Sequence, residues 1–183
     1  MTPGWQLPHL SDVFLSCCET GLGVTEITDD ILTLSTGFLC AGARSVVSTL
    51  WSVEDLATAL FSIFYHRHRQ QGSCRPGALQ QAQEELRSLS GQTLATVYQT
   101  QLTLLLDGKF QQAEKARKEA KANRDKETKG TQAYLKWEEE YKRRTKAAER
   151  IHKTKKRLNA LCQESSPFSH PFYWAAFTCS GLR

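Results

Sequence analysis

Apolar and polar positions follow two rhythms along this chain, and the change between them divides it. Asp12-Val13-Phe14-Leu15-Ser16-Cys17 is a short apolar run without a helical period, bounded by Gly21 and Gly23. A run of that kind predicts a buried strand that opens into a loop. Asp29 or Asp30 offers an N-cap for a helix on which Ile31, Leu34, Phe38 and Leu39 recur at helical spacing, closed by Gly42. Arg44 to Trp51 is rich in β-branched residues and predicts a second strand. Leu56, Leu60, Ile63 and Phe64 then share one helical face, and Ala78, Leu79, Ala82, Leu86 and Leu89 mark the next helix. Strand, helix, strand, helix in this order predicts an α/β domain, a parallel sheet covered by helices and joined by right-handed crossovers.

From Gln92 the rhythm is helical throughout. Leu94, Val97, Tyr98, Leu102, Leu105 and Leu106 predict an apolar helix that ends at Asp107-Gly108, followed by a Lys-, Glu- and Ala-rich stretch. After Gly130, residues 131–163 form a long helix with a heptad-like seam of Tyr134, Trp137, Tyr141, Ala148, Ile151, Leu158 and Cys162. Arg144 and Lys155 fall on the same seam, so an antiparallel hairpin fits better than a free coiled coil. Pro167 and Pro171 bracket a loop, and Phe172 to Cys179 is short and aromatic, which predicts a closing strand. The α/β pattern therefore resumes, and residues 91–166 are an insertion within one domain made of 1–90 and 167–183.

Composition adds limits. With 183 residues, 40 % of them hydrophobic and 23 % charged, the chain suits one ordinary globular domain. No stretch reaches the roughly 18–20 apolar residues that span a bilayer, and the N-terminus lacks a signal-peptide pattern, so no membrane association and a cytoplasmic location are expected. The six cysteines show no CxxC pair and no secretory setting, which argues against a zinc site or a disulfide framework. No metal or other cofactor is expected. The net charge of +5 is concentrated between Lys109 and Arg157. Such a segment suits a polyanion or an acidic partner, but most often it is the solvated face of a helix. Tyr134, Trp137 and Tyr141 interleave with its cations, yet their seam spacing points to packing, so nucleic acid is not the expected partner.

One cysteine stands where chemistry is plausible. Cys18 follows the first strand, and ligand sites in open α/β sheets lie beyond the carboxyl ends of strands. Thr20-Gly21-Leu22-Gly23 can bring backbone N–H groups close to a substrate carbonyl. Glu54 and Asp55 follow Trp51 at the end of the second strand, where a carboxylate could select a basic side chain or simply favour a helix N-terminus.

The motifs point further. Leu15-Ser16-Cys17-Cys18-Glu19-Thr20-Gly21 resembles the LSACETG motif of CHAT domains, caspase-like peptidases commonly attached to tetratricopeptide repeats. Ala41 to Trp51 is similar to that family's AGARSVVxSLW strand, Ala78 to Gln83 to its ALRQAQ helix, and His170 to Phe177 to its closing HPYYWAAF segment. The resemblance covers residues 12–90 and 167–182 and leaves the insertion unmatched.

The resemblance implies a partial caspase-like parallel-sheet sandwich carrying a long helical hairpin. It implies Cys18 as nucleophile, Glu19, Thr20 and Gly21 in an oxyanion and substrate loop, and Trp51 and Asp55 beside a substrate pocket. The substrate would be a protein or peptide. The family's general base is a histidine in a His-Gly turn after an earlier strand, about 50 residues upstream in caspases. Here His9 alone precedes Cys18, between Pro8 and Leu10 with no glycine after it. The expected partner is therefore an N-terminal half carrying that histidine, or a repeat domain. The alternative is a non-catalytic CHAT remnant that serves as a protein-interaction module.

Overall fold

The computed structural model describes residues 10–15 and 34–181. They fall into two compact units, one drawn from residues 1–89 and 166–183, the other from 90–165. Cys17, Cys18, Glu19, Thr20 and Gly21 lie outside the described residues, as does the N-cap expected at Asp29 or Asp30.

The first unit holds a three-stranded sheet ordered β1 (Asp12–Phe14), β2 (Ser45–Thr49), β3 (Phe177–Gly181). β1 pairs parallel to β2, with Val13 opposite Val46. The right-handed-crossover pattern requires a helix between them, and α1 (Leu34–Cys40) occupies part of that connection. β2 is the middle strand and all five of its residues are buried, which is why it reads as an unbroken β-branched run rather than an alternating one. β3 corrects the expectation of a wholly parallel sheet. It runs antiparallel to β2, with Val47 opposite Cys179, and the sheet is mixed.

The closing segment is also built differently from the sequence expectation. Pro171–Trp174 is a short helix, α7, and the strand starts only at Phe177. His170 precedes it with its Nδ1 accepting the Phe172 N–H at 3.1 Å, and Pro171 takes the first helical position, where its missing N–H costs nothing. These local preferences outweigh the aromatic, strand-like composition.

Two longer helices, α2 (Asp55–Gln70) and α3 (Arg75–Ser88), complete this unit. Leu56, Leu60, Phe61 and Phe64 of α2 and Ala78, Ala82 and Leu86 of α3 are fully or nearly fully buried. Small alanines on α3 let it approach closely, while the aromatics of α2 fill the space over the sheet. Phe61 lies flat on Phe177 of β3, with ring centroids 3.6 Å apart and planes inclined by 2°. Phe14 of β1 reaches the same cluster, 6.2 Å from Phe61 and 5.9 Å from Tyr65.

The second unit is helical. A short helix, α4 (Gly91–Thr93), leads through a π-helical turn, Leu94–Tyr98, into α5 (Gln99–Lys126), and α6 (Gln132–Leu161) returns beside it. The helix does not end at Asp107-Gly108 as the sequence suggests. Glycine inside a helix costs about 1 kcal/mol against alanine, and packing against α6 along the whole length outweighs that penalty. Lys155 Nζ reaches Asp107 at 2.7 Å, Gln99 bonds Asn159 at 3.0 Å, and Arg124 bonds Glu138 at 3.0 Å. These pairs descend on one helix as they climb on the other, as an antiparallel hairpin requires. Thr131 caps α6 by accepting the Tyr134 N–H at 3.2 Å, and Gly130, at φ 88°, makes the preceding turn.

Candidate active site

The carboxyl ends of β1 and β2 face the same edge of the sheet because the two strands are parallel. β1 is described as far as Leu15, whose N–H bonds Val47 O at 2.9 Å. Cys18 comes three residues later in the chain. β2 runs out through Leu50, whose N–H bonds Ala176 O at 2.9 Å, into Trp51. Trp51 is half-buried, and its indole Nε1 donates to Phe172 O at 2.9 Å while its ring stacks near Phe172, centroids 6.4 Å apart. Trp51 thus anchors the end of β2 to α7. Asp55 stands exposed in the first turn of α2, where a negative charge suits the helix N-terminus.

The helix α3 and the closing segment are tied by a residue whose role the sequence pattern did not disclose. Gln83 Nε2, on α3, donates to Trp174 O and Phe177 O, both at 3.1 Å. One amide therefore satisfies two carbonyls at the junction of α7 and β3, which would otherwise have no ladder partner there. Arg87, one turn further on α3, sits 5.7 Å over the Trp174 ring. Three motifs separated in sequence, those containing Trp51, Gln83 and His170-Pro171, are joined here by direct hydrogen bonds and stacking.

None of the described histidines stands as an obvious base. His170 Nδ1 caps α7, His68 Nε2 is 3.1 Å from Glu85 Oε2, and His66 packs against the rings of Phe14 and Tyr65. His152 is on the exposed side of α6. Among the described thiols, burial pushes Cys162 up from its ordinary pKa. Burial does the same to Cys179, against the lowering effect of Arg75 and Arg69. Thiols held protonated are poor nucleophiles.

At the opposite edge of the sheet lies a polar cluster that sequence reading missed. Asp12 Oδ1, at the start of β1, accepts from Ser45 Oγ at 2.6 Å and from Arg75 Nε, and Arg69 lies 3.6 Å from Oδ2. Burial by itself raises the Asp12 carboxyl. The hydrogen bonds from Arg75 and Ser45 and the charges of both arginines outweigh it and hold the pKa below the usual value. The cluster fastens β1 to β2, α2 and α3 at the amino end, and so fixes the strand that leads towards Cys18. Its partners are 33 and 63 residues away, which is why local pattern gave no signal.

A family model for the CHAT domain matches residues 4–182, nearly the whole chain. The chain belongs to the CHAT family. No curated protein and no solved structure matches the chain at the level required. CHAT domains are a caspase-like peptidase family. No helix among the described residues is long and apolar enough to cross a membrane.

Proposed function

We propose that this chain provides the nucleophile-bearing part of a CHAT-type cysteine peptidase that cleaves protein or peptide substrates. The observation that carries the reading is the family match over residues 4–182; Cys18 comes three residues in sequence after Leu15, which leaves the carboxyl end of β1. In this reading the Cys18 thiolate attacks the scissile carbonyl carbon, and Glu19, Thr20 and Gly21 supply a loop whose N–H groups stabilise the oxyanion. The C–N bond then breaks, the amine leaves with a proton from the general base, and water hydrolyses the thioester. Trp51 and Asp55 border the pocket, with Asp55 favouring a basic P1 side chain by a charge-assisted hydrogen bond.

No general base is identified among the described residues. The described histidines are engaged elsewhere or distant in kind, and His9 lacks the His-Gly context. Thiol activation therefore depends on a His-Gly element supplied in addition to these residues, and the chain by itself is inactive.

The test is a peptide-cleavage assay on the chain alone and together with a family segment carrying a strand and a His-Gly turn. The expected result is no turnover alone and Cys18-dependent turnover in the combination, with Asp55→Ala relaxing the preference for Lys or Arg at P1. Turnover by the isolated chain that Cys18→Ala abolishes would overturn the dependence on an added base. No turnover in a combination shown to associate would favour the non-catalytic interaction module instead.

A further inference from the structure

The hairpin carries the chain's basic excess, and the structure sorts its cations into those engaged and those left facing water. Arg124 is held by Asp125 and Glu138, Arg143 and Arg144 by Glu140, and Lys155 by Asp107. Lys142 is 3.4 Å from Glu138. Lys146, Arg150, Lys153 and Lys156 have no such partner among the described residues, and all four are exposed. Their spacing of four, three and three residues, continued from Lys142 by another four, keeps them on one face of α6. At about 1.5 Å rise per residue the row is roughly 21 Å long. Glu149 is the acid on that face between Lys142 and Lys156.

The row borders a groove of about 370 Å³ between α5 and α6. Arg117, His152, Lys153 and Lys156 line it, together with the acids Glu114 and Glu149. Arg117 donates to Glu114 at 2.8 Å, and its Nε is buried with no partner among the described residues.

Three features choose among anionic partners. A protein interface needs an apolar core and is depleted in lysine, yet no large hydrophobic side chain is exposed on α6 between Lys142 and Arg157. Single-stranded nucleic acid is held by stacking on aromatic rings. The aromatics of α6 are instead half-buried in the hairpin seam, and Tyr141 lies 4.9 Å beneath Arg124. What remains is a straight row of cations, four of the five without an acidic partner among the described residues, the chemistry that meets a regular phosphate backbone without reading bases.

We propose that the outer face of α6, from Lys142 to Lys156, with the adjoining groove, binds the phosphate backbone of a nucleic-acid duplex without sequence preference. The proposal stands whether or not Cys18 is catalytic. It reverses the expectation from sequence, in which nucleic acid is not the partner.

The test is fluorescence anisotropy of the full chain with a labelled DNA duplex across a series of salt concentrations. With four or five phosphates neutralised, the logarithm of affinity should fall against the logarithm of salt with a slope of about −4, roughly 250-fold between 50 and 200 mM. The double variant Lys146→Glu and Lys153→Glu should flatten the slope by about 2. Lys126→Glu with Lys129→Glu changes net charge equally at the far end of the hairpin and should leave it unchanged. Circular dichroism confirms that both variants keep their helices. Failure to bind, a salt-independent affinity, or equal losses in both variants would overturn the proposal. Equal affinity for poly-glutamate or for a single strand would overturn the duplex assignment as well.

Discussion

Removing the carboxylate of Asp12 should loosen the sheet at its amino edge, and the size and pH dependence of that loss follow from the cluster. Asp12→Asn keeps the shape but leaves Arg75, only 15 % exposed, without its charged acceptor. Hydrogen bonds to charged groups contribute about 1.5–3 kcal/mol when sheltered. Asp12 is 36 % exposed, so solvent screening draws the value towards the 0–1 kcal/mol typical of surface pairs. A loss of about 1–2 kcal/mol is expected, or about 2–8 °C in Tm for a chain of this size. Because the folded carboxyl is held below its unfolded pKa, its contribution is fully present above the unfolded value and disappears as pH falls through the folded one. Wild type and variant should therefore differ at neutral pH and converge in strong acid. Urea unfolding of both chains from neutrality down to about pH 2 measures the difference. A gap that stays constant over that range, or no gap at pH 7, would refute the reasoning.

Four further outcomes follow from packing. Phe61→Ala removes a fully buried ring stacked on Phe177 and should cost about 3–5 kcal/mol in urea unfolding, with a loss under about 1 kcal/mol contradicting the assignment. Gln83→Leu strips the donor from two carbonyls and should cost about 1–3 kcal/mol, read as a fall in Tm. Tyr65→Phe should be neutral or stabilising, since the buried hydroxyl has no hydrogen-bond partner among the described residues. Burial, with the charges of Cys179 and Asp12, pushes that phenol up to about 12, so ultraviolet titration should show one tyrosine ionising late and losing that delay in the variant.

The parts of the fold legible in sequence are those set by local pattern. β2 reads as a strand because Val46, Val47 and Thr49 are β-branched and buried without interruption. α2 and α3 read as helices from their apolar spacing, and the hairpin seam of Tyr134 to Cys162 is turned inward or half-buried as its spacing implies. The direction of β3 was not legible, because strand polarity depends on the path of the connection rather than on the strand's own residues. The end expected at Asp107-Gly108 failed for a related reason: Lys155, far along the chain, holds that turn in place. For the site, the motif around Cys18 marks the chemistry, and the supports at Asp12 and Gln83 are long-range contacts that no local window contains. Residues 17–21 lie outside the described residues, so their roles rest on the motif and the family.

The hairpin begins and ends at nearly one point. Gly91 N donates to Glu164 O at 3.1 Å. A Cβ at Gly91 would stand 2.7 Å from Leu161 O and 2.8 Å from Cys162 O, closer still to Glu164 O, so alanine there should disturb the seal by about 1–3 kcal/mol. Closed in this way, the long insertion occupies the position of a tight turn in the rest of the chain. Its length is then a free variable. Matched turns can be removed from α5 and α6, or added to them, without altering the points at which the chain leaves and rejoins the sheet-bearing unit. Such a hairpin can be redesigned or shortened as a cassette, while the sheet-bearing unit keeps its own connections.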